Sequence, residues 1–184
     1  MNQTNQNLSR IQSFSRTFRL LTRFLMVAVP VYYVIYWVFI NYLPQTLINV
    51  NTAAQPILDN TLSVPLQWLG FLAALPVVLS LIYGLVNIDR LFRYYQQGII
   101  FSYQQVRLFK HIAKALLLWV VTSMLYESAK SVVFTWQNPP GERLLTVGFG
   151  SAELMIMIVA AMTFFIAWVV EEGQNLSEEQ KYTV

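Results

Sequence analysis

Four long apolar segments limit what this chain can fold into more than any other feature of its sequence. They span residues 24–42, 64–86, 115–136 and 151–170. A helix rises ~1.5 Å per residue, so about 20 mostly apolar residues are enough to cross the ~30 Å hydrocarbon core of a bilayer. The sequence therefore predicts an all-α membrane protein in which four transmembrane helices form a bundle.

The remaining residues form connections and tails, which predicts a single membrane domain. These segments are a cytoplasmic tail with an amphipathic helix (1–23), an outer loop (43–63), a cytoplasmic helical connection (87–114), a second outer loop (137–150) and an acidic cytoplasmic tail (171–184). The amphipathic helix is predicted because apolar residues recur at spacings of three and four, at Leu8, Ile11, Phe14 and Phe18. It is either a surface for a partner or an anchor whose arginines lie near anionic lipid headgroups.

The distribution of basic residues predicts the orientation of the chain. All but two of its twelve Lys and Arg lie before the first segment, between the second and third, or in the C-terminal tail. The two exceptions are Lys130 and Arg143. Positive residues stay on the cytoplasmic side of a membrane. Both termini and the middle connection are therefore predicted to be cytoplasmic, in a bacterial inner membrane.

The composition excludes several classes of function. Only 11% of the residues are charged, whereas a soluble domain carries about 25%, so a soluble enzyme is excluded. The chain has no cysteine and a single histidine, His111, so we expect neither disulfides nor a metal site. No catalytic or phosphate-binding motif is present, and topology explains the net charge of +3. We therefore predict no enzymatic activity, no cofactor and no direct contact with nucleic acid.

The middle connection carries the clearest local signals. An apolar stripe extends the second helix beyond the bilayer, at Ile88, Leu91, Phe92 and Tyr95. Gly98 suits a left-handed C-cap that ends this helix. Ser102 and Gln105 have the spacing of a capping box, and Phe101 and Val106 that of a hydrophobic staple, so a new helix begins there. The second and third helices are thus predicted to project into the cytoplasm.

Two segments on the cytoplasmic side have more than one interpretation. Residues 99–101 are apolar, and we expect them to be buried against the other helices, the membrane surface or a partner protein. The acidic tail is either solvated or docked on basic residues of the connection, namely Arg90, Arg93, Arg107 or Lys110.

Three charged residues fall in or beside the apolar segments, at Glu127, Lys130 and Glu153. Glu127 and Lys130 are three residues apart and therefore share one face of the third helix. A charge inside the bilayer costs on the order of 2.5–3.5 kcal/mol on insertion scales, so we expect these residues to pair. They form either an interfacial ion pair, with Lys130 reaching the headgroups, or a site for an ion, a proton or a small ligand.

Two stretches of the sequence resemble a known family. They are Tyr95-x-x-Gly98-x-x-Phe101-Ser102 and the ending Leu176-x-Glu178-Glu179-x-x-x-Thr183-Val184. This pattern resembles the YoaS-like family of small bacterial membrane proteins of unknown function, which have four predicted membrane helices and are often encoded beside a helix-turn-helix regulator. The resemblance implies a partner rather than a reaction. It implies partner-binding positions at Tyr95, Gly98, Phe101, Ser102, Glu179 and Thr183.

Two functions from different classes fit these features. The first is a non-enzymatic regulatory or interaction protein that holds or releases a cytoplasmic partner, such as a helix-turn-helix regulator, through the middle connection and the tail. The second is a small transporter or channel subunit that forms a homo-oligomer with a pathway lined by Glu127, Lys130 and Glu153. The first predicts that Gly98→Val and Phe101→Asp abolish function while Glu127→Gln is mild, and the second predicts the reverse order.

Overall fold

A computed structural model of the protein describes residues 2–44, 47–48, 58, 61–99 and 102–182, with side chains for 10–44, 47–48, 58, 61–99 and 102–176. Nearly all of this part of the chain is helical, in α1 (Asn2–Val38), α2 (Val64–Gln96), α3 (Tyr103–Thr135) and α4 (Ser151–Tyr182). A 3-10 turn, Ile40–Tyr42, follows α1. Each of the four helices is long and apolar enough to cross a membrane. The all-α architecture with four candidate spans is thereby confirmed, and it is typical of a multi-pass membrane protein.

Each helix is longer than a membrane crossing requires. α1 has 37 residues and the other helices have 32 or 33, which corresponds to about 48–56 Å at ~1.5 Å per residue. The predicted amphipathic segment and the first span therefore form one continuous helix. The predicted acidic tail is likewise not a separate segment, because α4 continues through it as far as Tyr182.

The helices form an open antiparallel row rather than a closed bundle. α2 packs along both α1 and α3, and α4 packs along α3. In the described part of the chain, α1 and α4 lie at the two edges of the row and share no packed face. The prediction of a bundle was wrong in this respect, because helix periodicity shows that a helix has an apolar face but not which neighbour will cover it.

The two ends of the row differ in charge. The basic end contains the first half of α1, the α2–α3 turn and the last turns of α4, where Arg19 pairs with α2 and Lys110 pairs with α4. Arg93 and Arg107 are exposed at the same end. The opposite end contains the α1–α2 and α3–α4 connections. All four helices therefore contribute to the basic end.

The largest buried cluster lies near the opposite end, where Trp37 of α1 reaches both α2 and α3. Trp37 is 2% exposed, and its Nε1 donates a hydrogen bond to Tyr126 Oη at 3.2 Å. Its ring also packs against Phe134. Gly70 of α2 makes room for it, since a Cβ at that position would lie 2.0 Å from the indole ring. The missing side chain at Gly70 thus allows α1 and α2 to approach closely.

Small residues also lie where α2 packs on α3 and where α3 packs on α4. A Cβ at Gly84 of α2 would lie 3.3 Å from the Cβ of Ala115 in α3, and the hydroxyls of Ser80 and Thr122 are hydrogen-bonded at 3.3 Å. On α4, the buried residues recur every seven positions, at Glu153, Ala160 and Ala167. Such seams are typical of helix packing in membranes, where small side chains let two backbones come close together.

The α3–α4 connection runs back along the end of α3. Leu144 N donates to Thr135 Oγ1 at 3.0 Å, and Thr146 N donates to Ser131 Oγ, one turn earlier in α3, at 3.1 Å. These hydroxyls satisfy backbone donors that would otherwise lack a partner in an apolar environment. The predicted outer loop 137–150 is therefore partly packed on α3.

Candidate functional site

Asp89 joins α1 to α2 at the basic end. Its Oδ1 accepts hydrogen bonds from Arg19 Nε at 3.0 Å and from Arg23 Nε at 3.2 Å, and its side chain is 11% exposed. Arg19 also donates through Nη1 to Gln96 Oε1 at 2.9 Å. Charge-assisted bonds of this kind are stronger than neutral ones. They hold the first half of α1 against the end of α2.

This contact was not predicted, although the sequence contains a signal for it. Asp89 is the only acidic residue of the middle connection, and Arg19 and Arg23 are four residues apart, on one face of α1. If α1 were only an anchor, these arginines would lie near lipid headgroups. In the structure, both instead bind Asp89. Phe18 and Phe92 stack beside the ion pairs with their ring centroids 5.4 Å apart, which extends the contact.

The α2–α3 turn has the predicted caps. Gly98 has a φ of 75°, the left-handed conformation that ends a helix. At the start of α3, Ser102 Oγ accepts a hydrogen bond from Gln105 N at 3.4 Å. The second bond of the predicted capping box is replaced by another one, from Gln105 Nε2 to Ile99 O at 2.6 Å. The buried Gln105 side chain therefore ties α3 to the turn itself.

An apolar cluster holds α2 and α3 together beside the turn. Leu91, Leu108 and Ile112 form its buried part, and Tyr95 packs against it. Tyr95 is thus half-buried in the hairpin rather than fully presented to a partner. Ile99, in contrast, is an exposed apolar side chain at the turn. It remains available to the membrane surface or to a partner protein.

The last turns of α4 dock on α3. Lys110 Nζ and Glu171 Oε2 form an ion pair at 2.8 Å, and Tyr103 Oη donates to Asn175 Oδ1 at 3.2 Å. The docked interpretation of the acidic tail is confirmed at Lys110. The other basic residues considered for this docking are exposed, namely Arg90, Arg93 and Arg107.

The structure brings together part of the predicted partner-binding set. Tyr95, Gly98 and Ser102 lie within the one α2–α3 turn. Phe101 and Thr183 lie outside the described residues, and so does the side chain of Glu179. Their predicted role therefore stays a prediction.

Glu127 and Lys130 form an ion pair near the opposite end. Lys130 Nζ and Glu127 Oε1 are 2.9 Å apart, and the two side chains are 6% and 12% exposed, respectively. Lys130 Nζ also lies 5.4 Å from the centroid of the Tyr126 ring. The expected pairing of these two charges is confirmed, and it places a buried dipole on the face of α3 that points toward α1.

Glu153, the third residue of the predicted charge cluster, has a local contact. It is buried, and its Oε2 accepts a hydrogen bond from Gly150 N at 2.9 Å. A carboxylate at the start of a helix satisfies an unpaired N–H group and interacts favourably with the helix dipole. This contact gives Glu153 a structural role in starting α4.

His111 of α3 contacts α2, where Tyr83 Oη and His111 Nδ1 are 2.6 Å apart. Over residues 10–176, as far as their side chains are described, no three His, Cys, Asp or Glu residues are grouped so that they could hold a metal ion. The Tyr83–His111 contact joins α2 to α3.

A family model for a protein of unknown function, DUF2975, matches residues 51–184. The chain belongs to the DUF2975 family. The match covers α2, α3 and α4 of this DUF2975 protein, including the α2–α3 turn, Asp89 and the Glu127–Lys130 pair. It leaves out α1, which supplies Arg19, Arg23 and Trp37. No curated protein and no solved structure gives a significant match to the chain.

Proposed function

We propose that this DUF2975 protein is a non-enzymatic interaction protein of the bacterial inner membrane, which holds a cytoplasmic partner such as a helix-turn-helix regulator. The observation that carries the proposal is that side-chain contacts and the capped turn tie all four helices together at the basic end. α1 is tied to α2 through Asp89, α2 to α3 through the capped turn, and α3 to α4 through Lys110 and Glu171. This makes one connected surface from four helices.

The positive-inside rule supports a cytoplasmic location for the basic end. Arg90, Arg93 and Arg107 are exposed there, whereas Lys130 and Arg143 belong to the opposite end. In the proposed orientation, both termini and the α2–α3 turn face the cytoplasm. α2 alone has 33 residues, or about 50 Å at ~1.5 Å per residue, so its last turns extend past a ~30 Å hydrocarbon core.

The chemistry of this surface suits a partner with an apolar contact and an acidic rim. Ile99 is exposed at the turn, and the exposed arginines on both sides of it carry positive charge. Interfaces of this type combine a desolvated apolar centre with charged residues that orient the partner. The same surface would release its partner if α1 moved relative to α2, because Asp89 links these two helices at the basic end.

Capture from native membranes tests the proposal. The tagged full-length protein is crosslinked in the membrane, and captured proteins are identified by mass spectrometry. We expect a helix-turn-helix regulator, with about tenfold less captured by Gly98→Val, since one lost contact is worth about that factor. Valine at the positive φ of Gly98 distorts the turn.

Two further variants make the result unambiguous. Ile99→Asp changes an exposed side chain while leaving the turn backbone intact, so it should reduce capture without unfolding the protein. Gly173→Val is the matched control, because a Cβ at this position of α4 has no atom within 4 Å. Capture of no such regulator, or equal capture by wild type and Ile99→Asp, contradicts the proposal.

A second candidate function, a transporter or channel subunit, is favoured by the buried Glu127–Lys130 pair. Charged residues inside a membrane protein commonly mark ion or proton pathways, and a homo-oligomer would complete such a pathway. In proteoliposomes with a pH-sensitive dye, this function predicts proton flux that Glu127→Gln reduces at least ~tenfold. Glu172→Gln, at an exposed site of the basic end, should leave the flux unchanged. No flux above protein-free liposomes argues against this candidate.

A further inference from the structure

A polar pocket of about 150 Å³ lies between α1 and α3, near the opposite end. Its polar walls come from four tyrosines and one ion pair, namely Tyr32, Tyr33, Tyr36, Tyr126, Glu127 and Lys130. The exposed faces of the spanning helices otherwise carry mainly apolar side chains, which suit lipid tails. Hydroxyl and charged groups do not suit lipid tails, so we expect this pocket to hold a polar ligand.

The hydroxyl group of Tyr36 is an independent sign of such an occupant. Tyr36 is 8% exposed and forms part of the pocket wall. In the part of the chain that the structure describes, its Oη has no hydrogen-bond partner. Buried polar groups in native proteins are nearly always paired, and an exception often marks a functional group or a bound molecule. A ligand in this pocket would supply the partner.

The charges of the pocket select the class of ligand. Glu127 and Lys130 are 2.9 Å apart, so these two charges balance each other within the part of the pocket wall that the structure describes. A lone cation is attracted by one of them and repelled by the other at a similar distance, and the same holds for a lone anion. A ligand that carries both charges is attracted by both. A carboxylate accepts several hydrogen bonds and an ammonium donates three, so each group can bind the ligand while the pair is kept.

The aromatic rings favour an ammonium group as the cationic part of the ligand. Lys130 Nζ already lies 5.4 Å from the Tyr126 ring centroid, and Tyr33 packs edge-on against the same ring with centroids 5.8 Å apart. The faces of tyrosine rings attract ammonium groups through their quadrupole. Four tyrosines around a carboxylate are therefore a suitable environment for a second ammonium.

We propose that this pocket binds a small zwitterion with one ammonium and one acid group, the chemistry shared by a free amino acid and a phosphoethanolamine lipid headgroup. The ammonium binds Glu127, and the acid group binds Lys130 and the Tyr36 hydroxyl. The pocket volume of about 150 Å³ is sufficient for a ligand of this size. The inference shares its ion pair with the transporter candidate but concerns binding alone, so a failure of transport leaves it standing.

Calorimetric titration of the full-length protein tests the inference. The protein is placed in phosphatidylglycerol nanodiscs, whose headgroups lack an ammonium, and is titrated with L-serine, O-phosphoethanolamine, ethanolamine and acetate. We expect at least one zwitterion to bind ~tenfold or more tightly than both single ions. Equal binding of the single ions, or no binding of either zwitterion, overturns the inference.

Variants assign the binding to the pocket. Glu127→Gln and Lys130→Gln should each weaken binding about tenfold, while Glu142→Gln, an exposed carboxylate of the α3–α4 connection, should not. Tyr36→Phe should weaken binding yet raise the Tm of the empty protein, because it removes an unpaired buried hydroxyl. Tyr42→Phe, at an exposed tyrosine of the same end, is its control. Binding that survives both charge substitutions contradicts the assignment.

Lipid composition identifies the source of the ligand. If the headgroup is the natural occupant, phosphatidylethanolamine in the nanodisc should compete and weaken the binding of O-phosphoethanolamine. If a free amino acid is the occupant, the same lipid should leave the affinity for L-serine unchanged. Either result supports the pocket as a zwitterion site and separates the two sources.

Discussion

Replacing Gly70 with alanine is expected to lower the free energy of unfolding by about 3 kcal/mol, the upper range for overpacking a buried contact. The new Cβ would lie 2.0–2.5 Å from three carbons of the Trp37 indole. That ring contacts Tyr126 and Phe134, so it can move away from the new methyl group only by giving up these contacts. Thermal unfolding in detergent, followed by circular dichroism, should show a Tm lower by roughly 6–12 °C.

Two controls separate this clash from a general effect of alanine in a helix. Gly173→Ala adds the same methyl group where no atom lies within 4 Å, and it should leave the Tm unchanged or raise it, because alanine favours helix. Gly70→Ala combined with Trp37→Phe should recover part of the loss, since the smaller ring relieves the overlap. A Gly70→Ala protein as stable as wild type would show that Trp37 does not occupy this position.

Replacing Asp89 with asparagine is expected to release the first half of α1 from α2. Removing one partner of a buried ion pair costs about 3–5 kcal/mol, but Arg23 is 60% exposed and remains solvated, so we expect about 2 kcal/mol. The chain has no cysteine, so one spin label can be attached on each side of the contact in a protein that carries both Ser13→Cys and Arg93→Cys. The distance distribution between them should broaden in Asp89→Asn.

The matched control is Glu172→Gln, which neutralises an exposed carboxylate at the same end and should leave the distances unchanged. A double-mutant cycle with Arg19→Gln should give a coupling energy of about 1 kcal/mol or more, because the two side chains are in contact. Additive effects of the two substitutions, or a narrow distance distribution in Asp89→Asn, would mean that Asp89 does not hold the first half of α1 against α2.

Local features of the α2–α3 turn were predictable because nearby residues determine them. A glycine with positive φ ends a helix, and a serine with a free hydroxyl starts one, so Gly98 and Ser102 are found as predicted. Glu127 and Lys130 pair as predicted for the same reason, since they lie one turn apart. The hydrogen bond of the Gln105 side chain was not predictable. Its amide could complete the capping box or bond to the α2–α3 turn, and the geometry of the turn decides between the two.

The predicted functional residues were recovered only in part. The turn residues come together, and the buried ion pair forms, but Glu153 caps its own helix. Neither Asp89 nor Tyr36 was predicted to be a functional residue, although both have central contacts once α1 is packed. Membership of a family of unknown function leaves the partner and the ligand as proposals, which the capture and titration experiments test separately.

The sequence by itself determined the four helices, the basic and opposite ends, and the helix caps, because these depend on hydrophobic length, charge placement and interactions within a few residues. Only the tertiary structure decided that the helices form an open row, that Trp37 lies against Gly70 and that Arg19 and Arg23 share Asp89. Each of these is a choice of partner some 30 to 70 positions away in the chain. Each helix could have packed against several apolar faces and paired with several charges. Shape complementarity in the folded protein determines which of these partners it contacts.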